Sequence, residues 1–204
     1  MPPMSPDFTP HLPLTLSAVP GPYRVADYME YEGEERCELI FGRLYVTPSP
    51  ACLHQIVTGS LFAHFLDVAR SSGGLALIAP VDVILAEHSV VQPDVLYLSQ
   101  KNRGIATDRI RGTPDLLVEV LSPTSGRRDR MAKRKLYASA GVPEYWIVDP
   151  QAQQIDIFHL EGERYLVFEL EHSTYSSAAC PEIELDMESF WSEVQRMAPE
   201  APSD

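Results

Sequence analysis

Nowhere in this 204-residue chain do apolar residues run for the roughly 18 positions that a membrane-spanning helix needs. The first 22 residues hold seven prolines where a secretory leader would have a basic region followed by a greasy one. A cytoplasmic protein with no membrane partner is the expectation. Cysteine is scarce too: Cys37, Cys52 and Cys180 are odd in number, far apart and without the close pairing of zinc or redox sites, so they read as free thiols. There is no Gly-x-Ser-x-Gly elbow and no cysteine in a nucleophile motif, which argues against a serine or cysteine hydrolase. A phosphate loop of the Gly-x-x-x-x-Gly-Lys type is also missing.

Positive charge is the last shortage. Sixteen Lys and Arg stand against 29 Asp and Glu, for a net charge of −13, which by itself opposes a nucleic-acid ligand because phosphate backbones bind through Lys and Arg. The distribution matters more than the sum. Residues 101–135 hold ten of the sixteen basic residues against four acids, a local excess of six positive charges, while the remainder carries six basic residues against 25 acidic ones. Such segregation fits an electropositive surface on an acidic body, or equally a solvated basic helix face.

What is present describes one α/β unit. Length and a 45% apolar composition suffice for a substantial core, with a proline-rich arm over 1–22, a domain over 23–197 and a short tail over 198–204. A short helix is expected at 25–32, then two strands, 37–40 and 43–47, around a tight Phe41-Gly42 turn. Apolar residues at helical spacing predict a long helix over 52–71, closed by Gly73-Gly74. Strands follow at 75–79, 81–86 and 94–98, and Leu116–Leu121 reads as a buried central strand. Ser125 caps a predicted helix over 126–140, and the β-rich run 144–148 follows it, so strand, helix and strand imply a crossover within one sheet. A hairpin over 154–160 and 164–170 and an amphipathic helix over 187–197 complete the chain.

Two carboxylates stand out. Asp94 opens an apolar strand after Pro93, and Glu119 sits inside another; each is expensive to bury ionised without a cation, a hydrogen-bond network or an opening to solvent. If the two strands are neighbours, the pair suits Mg²⁺ or Mn²⁺, hard ions that prefer oxygen ligands. Lys133 shares a helical stripe with Asp129 and Tyr137, and Leu136 and Ala140 on that stripe point it at the sheet. An inward lysine beside two carboxylates orients water or neutralises a phosphoryl transition state. Arg127, Arg128, Arg134 and Lys135 fall largely outside the stripe and are candidates for DNA phosphate contacts, or ordinary solubilising residues.

The runs Cys37-Glu38-Leu39-Ile40-Phe41-Gly42-Arg43-Leu44, Gln92-Pro93-Asp94-Val95 and Pro114-Asp115-Leu116-Leu117-Val118-Glu119-Val120-Leu121-Ser122-Pro123 resemble the Uma family of restriction-endonuclease-like proteins. Asp129, Lys133, Tyr137 and the stretch from Gly141 to Pro150 extend the resemblance, which covers about residues 24 to 190. It implies the PD-(D/E)XK nuclease superfamily: a restriction-endonuclease-like fold with a mixed central sheet flanked by helices, and a site of two acids and a lysine. Asp94 matches the first acid and Glu119 the second. The usual lysine two residues after the second acid is replaced by Leu121, so Lys133 would substitute from the helix. Glu38 matches the glutamate of the first motif and would hold a water at the metal, or be a hydrogen-bonded hairpin residue. Phe41 stands where the family often has Asp, which puts the turn in question. His54 is the histidine matching the family pattern, contacting phosphate or simply packing, and Asp115 reads as a strand-entry residue.

Two readings follow. One is a Mg²⁺- or Mn²⁺-dependent endonuclease acting on DNA, duplex in form, as a homodimer built on a sheet edge or the terminal helix. The other is a nuclease fold kept for DNA binding or protein interaction without turnover.

Overall fold

The computed structural model describes residues 21–33, 35–47, 49–122, 129–169 and 173–199. Its centre is a six-stranded mixed sheet in the order β11-β10-β9-β8-β6-β3. The strands are β3 Leu75–Ile78, β6 Val95–Leu98, β8 Leu116–Val120, β9 Glu144–Asp149, β10 Gln154–Glu161 and β11 Arg164–Phe168. β8 and β9 run parallel, as the expected crossover requires, and the other pairs are antiparallel. Every residue of β8 is buried, because both faces of the sheet are covered.

Alternation along β8 divides the core. Val118 and Val120 join Val95, Tyr97 and Trp146 beneath the 21-residue helix α2, Cys52–Ser72, and the helix α4, Met187–Met197. Leu117 joins Leu96, Tyr145 and Ile147 on the other face, against Leu136 and Tyr137 of the helix α3, Arg134–Ser139. α2 closes where expected: Gly73 is left-handed at φ 77°, and its N–H reaches Ala69 O. At the start of α4 the Asp186 side chain accepts from Ser189 N–H.

A second sheet, ordered β2-β1-β5-β4-β7, lies on the α3 side of the core. It comprises β1 Cys37–Ile40, β2 Arg43–Val46, β4 Val83–Ala86, β5 Ser89–Val91 and β7 Ile110–Arg111. β5, β7 and the separate pair β12 Thr174–Ser176 and β13 Glu184–Asp186 were not expected. Two or three residues carry too little periodicity to announce a strand. The Phe41-Gly42 turn keeps its two-residue form despite the aromatic residue, with φ 49° and 73°.

Several boundaries moved by a residue or more. α1 spans Val25–Met29 and stops short of the expected residue 32. The backbone enters β6 at Val95, because the Asp94 carboxylate and not its main chain takes the Val120 N–H, at 2.8 Å. The helix expected over 126–140 is, within the described residues, a π-helical turn Asp129–Lys133 leading into α3; its cap Ser125 and its start at Gly126 lie outside them.

Candidate active site

Val95 pairs with Val118 in the antiparallel register of β6 and β8, so one further step sets Asp94 opposite Glu119. Asp94 stands just outside the paired residues, and its carboxylate and that of Glu119 line the same cavity.

Lys133 enters from the last position of the π-helical turn. Its Nζ lies 2.8 Å from Glu119 Oε1 and 2.8 Å from Glu38 Oε1. The three residues are 1–3% exposed. One turn on, the Tyr137 hydroxyl donates to the same Glu119 Oε1 at 2.6 Å. Burial, and then the Glu119 charge, hold that phenol well above the ordinary tyrosine value. Lys133 and Tyr137 thus share the inward stripe expected of them, although the backbone before Lys133 is π-helical; π turns within helices are frequent at functional sites.

Glu38 belongs to β1 of the second sheet, so Lys133 ties the two sheets together. The same Glu38 Oε1 accepts from Gln92 N–H at 2.8 Å. The Gln92 side chain is a junction: its amide donates to Asp82 and to the Tyr28 hydroxyl, and its carbonyl accepts from Arg36 Nε at 3.0 Å. His54, near the start of α2, sets Nε2 3.3 Å from Asp94 Oδ2 and Nδ1 3.3 Å from Thr58 Oγ1.

Glu38, His54, Asp94, Glu119 and Lys133 line one cavity of about 70 Å³ together with Arg36, Gln92 and Ser122. That space takes a few waters, or one ion with part of its hydration shell. Three carboxylates against Lys133 and Arg36 leave the cavity one negative charge in excess when His54 is neutral, and its carboxylate oxygens are a donor set that fits a divalent cation with oxygen ligands. Among the described residues no group of three His, Cys, Asp or Glu side chains is arranged to hold a metal ion, so an ion here would keep water in its shell.

The outer basic residues lie elsewhere. Arg134 stacks on Phe158 and Lys135 on Phe41, their charges 5.5 Å and 5.8 Å from the ring centres. Both line a shallow groove with Met131 and Arg164, and this groove shares no lining residue with the carboxylate cavity. Arg127 and Arg128 lie outside the described residues. Asp115 accepts from Ser99 N–H at 2.7 Å, the strand-entry role expected of it. Cys37, Cys52 and Cys180 are free thiols.

Glu144 was overlooked, although it satisfies the criterion that singled out Glu119: a carboxylate before Tyr-Trp-Ile-Val in an apolar strand. It is fully buried and accepts from Trp146 Nε1, the Tyr175 and Ser177 hydroxyls and Ala179 N–H, at 2.6 to 3.1 Å. These donors fasten the C-terminal segment to the sheet. Burial alone does not separate the two: Glu119 lines the cavity and Glu144 does not.

A crystal structure described as a putative nuclease of the DUF820 group, from Anabaena variabilis, matches this fold with a TM-score of 0.70 and 16% identity, over 85% of this chain and 99% of that one. The uncharacterized protein slr1290 of Synechocystis sp. is 28% identical over 142 residues, 65% of this chain and 72% of that protein. The Uma2 family model, described as "Putative restriction endonuclease", matches residues 25–188. With that match spanning the cavity, both sheets and the helices α1 to α3, the chain belongs to the Uma2 family and has the restriction-endonuclease-like fold.

Proposed function

We propose that this protein is a divalent-metal-dependent endonuclease that hydrolyses DNA phosphodiester bonds, acting on duplex as a homodimer. The observation that carries the reading is Lys133, buried between Glu38 and Glu119 at the floor of a cavity that also holds Asp94. A buried ion cluster costs about as much in desolvation as it returns, so fold stability gives little reason to keep one.

Asp94 and Glu119 would hold Mg²⁺ or Mn²⁺, which, when bound, supplies electrostatic stabilisation of the charge that develops on the phosphate oxygens. Lys133 presents a fixed ammonium to the reacting phosphate and orients the attacking water. Glu38 and the Tyr137 hydroxyl hold that ammonium and the Glu119 carboxylate in place. Water forms the new bond to phosphorus, the P–O3′ bond breaks, and the leaving 3′ oxygen takes a proton. Arg134 and Lys135, with Arg127 and Arg128, position the backbone away from the chemistry.

A second reading, a silent nuclease-fold module for DNA binding or protein interaction, draws on the same Lys133, which already neutralises part of the carboxylate charge a metal would need. Cleavage of supercoiled and linear DNA with Mg²⁺ or Mn²⁺ separates the two. Asp94→Ala, Glu119→Ala and Lys133→Ala should each lower the rate by about 100-fold or more with folding retained. Activity that persists through all three overturns the assigned site, and DNA binding without cleavage by the native protein favours the second reading.

A further inference from the structure

We propose that Arg36, held by Gln92 at the mouth of the carboxylate cavity, is the residue that receives the phosphodiester anion. The inference rests on the nuclease reading and adds a substrate-binding residue to it.

The cavity needs such a cation. Its floor carries an excess of carboxylate, and Lys133 is engaged by two of those carboxylates at 2.8 Å each. Arg134 and Lys135 open onto a different groove. A divalent ion on Asp94 and Glu119 would offset that excess at the floor, and a phosphate entering past Asp94 would still need a positive group at the rim to position it.

Arg36 has the placement and the free valence. It stands one residue before β1, with its carbonyl accepting from Thr47 N–H at 2.8 Å, so its backbone continues the β1–β2 hairpin. The side chain lines the cavity. Its Nε donates to Gln92 Oε1 at 3.0 Å, and among the described residues its terminal guanidinium nitrogens enter no hydrogen bond or ion pair. An exposed arginine beside three carboxylates would ordinarily pair with one of them. Here Gln92, itself pinned by Asp82 and the Tyr28 hydroxyl, takes the Nε and leaves the two terminal nitrogens as a fork for an anion. A guanidinium fork matches two phosphate oxygens where an ammonium offers a point charge.

The test uses the full chain with Arg36→Ala, Arg36→Lys and, as an exposed control on α2, Arg70→Ala. Each is measured for DNA cleavage with Mg²⁺ or Mn²⁺, and for binding of a labelled duplex without divalent metal across a salt series. Arg36→Ala should lose roughly 10- to 100-fold in kcat/KM and reduce the salt slope of binding by about one unit, with an unchanged melting temperature. Arg36→Lys should recover part of the rate, added methylguanidinium should restore Arg36→Ala alone, and Arg70→Ala should match the native protein. A native rate and native salt slope in Arg36→Ala overturn the inference while the nuclease reading stands. A native protein that neither binds nor cleaves DNA overturns the reading, and this inference with it.

Discussion

Lys133→Met keeps the length of the side chain and removes its charge, which makes it a direct probe of the buried cluster. In the native protein the ammonium is 2% exposed and lies 2.8 Å from a carboxylate oxygen on either side. The variant leaves Glu38 and Glu119 buried, without their shared cation and facing one another. Breaking a buried pair by removing one partner costs about 3–5 kcal/mol, a large part of the roughly 5–15 kcal/mol by which domains are stable. With a denaturant dependence of about 1–3 kcal/mol per molar urea, the unfolding midpoint should fall by on the order of 1–3 M. Lys133→Met combined with Glu119→Gln should regain more than about 1 kcal/mol, since neutralising a stranded acid relieves the penalty that its lost partner created. Urea titrations of the three proteins followed by tryptophan fluorescence measure all of this. A loss below about 0.5 kcal/mol for the single variant, the range of ordinary surface substitutions, would refute the reasoning and mean that the lysine works from solvent.

Three further outcomes follow from other parts of the fold. Burial, the leading cause, pushes Tyr97 up to about 12 and Tyr137 well above the ordinary 10. Stability should be complete below about pH 10 and fall as pH rises toward 12, because the unfolded chain sheds phenolic protons that the folded one keeps; thermal melts that do not move across that window would contradict this. Burial, and then the charges of Asp82 and Glu38, raise the Cys37 thiol to about 11, and Cys180 is buried while Cys52 is exposed. A disulfide reagent near neutral pH should therefore titrate one thiol per folded chain and three after unfolding. α4 buries Phe190, Trp191 and Val194 against the core, whereas the edge strand β11 exposes Leu166, Val167 and Phe168. The proposed homodimer should therefore use that edge: light scattering at roughly micromolar concentration should give twice the chain mass for the native protein and one chain mass for Val167→Lys, and a monomeric native protein would refute it.

The long elements were legible because their signals are local. Period and punctuation mark α2 and α4, and strongly apolar runs mark β8 and β9, whatever they pack against. The candidacy of Asp94 and Glu119 was legible for a related reason: a carboxylate in an apolar strand is a conflict that can be read from composition along one strand. That reasoning also points at Glu144, and no local feature says that Trp146, Tyr175 and Ser177 would satisfy it.

By itself the sequence determined the order of helices and strands, the two acids that interrupt apolar strands, and the inward stripe that carries Lys133 and Tyr137. Tertiary structure alone decided that Glu38 of one sheet and Glu119 of the other share a single ammonium, that Gln92 joins this cluster to Arg36, and that Arg134 and Lys135 line a separate groove. These are contacts between residues up to 95 positions apart in the chain, Glu38 and Lys133 being the farthest. They depend on how β1, β6 and β8 register and on a π-helical turn, features set by the packing of the whole core and not by any window of neighbouring residues.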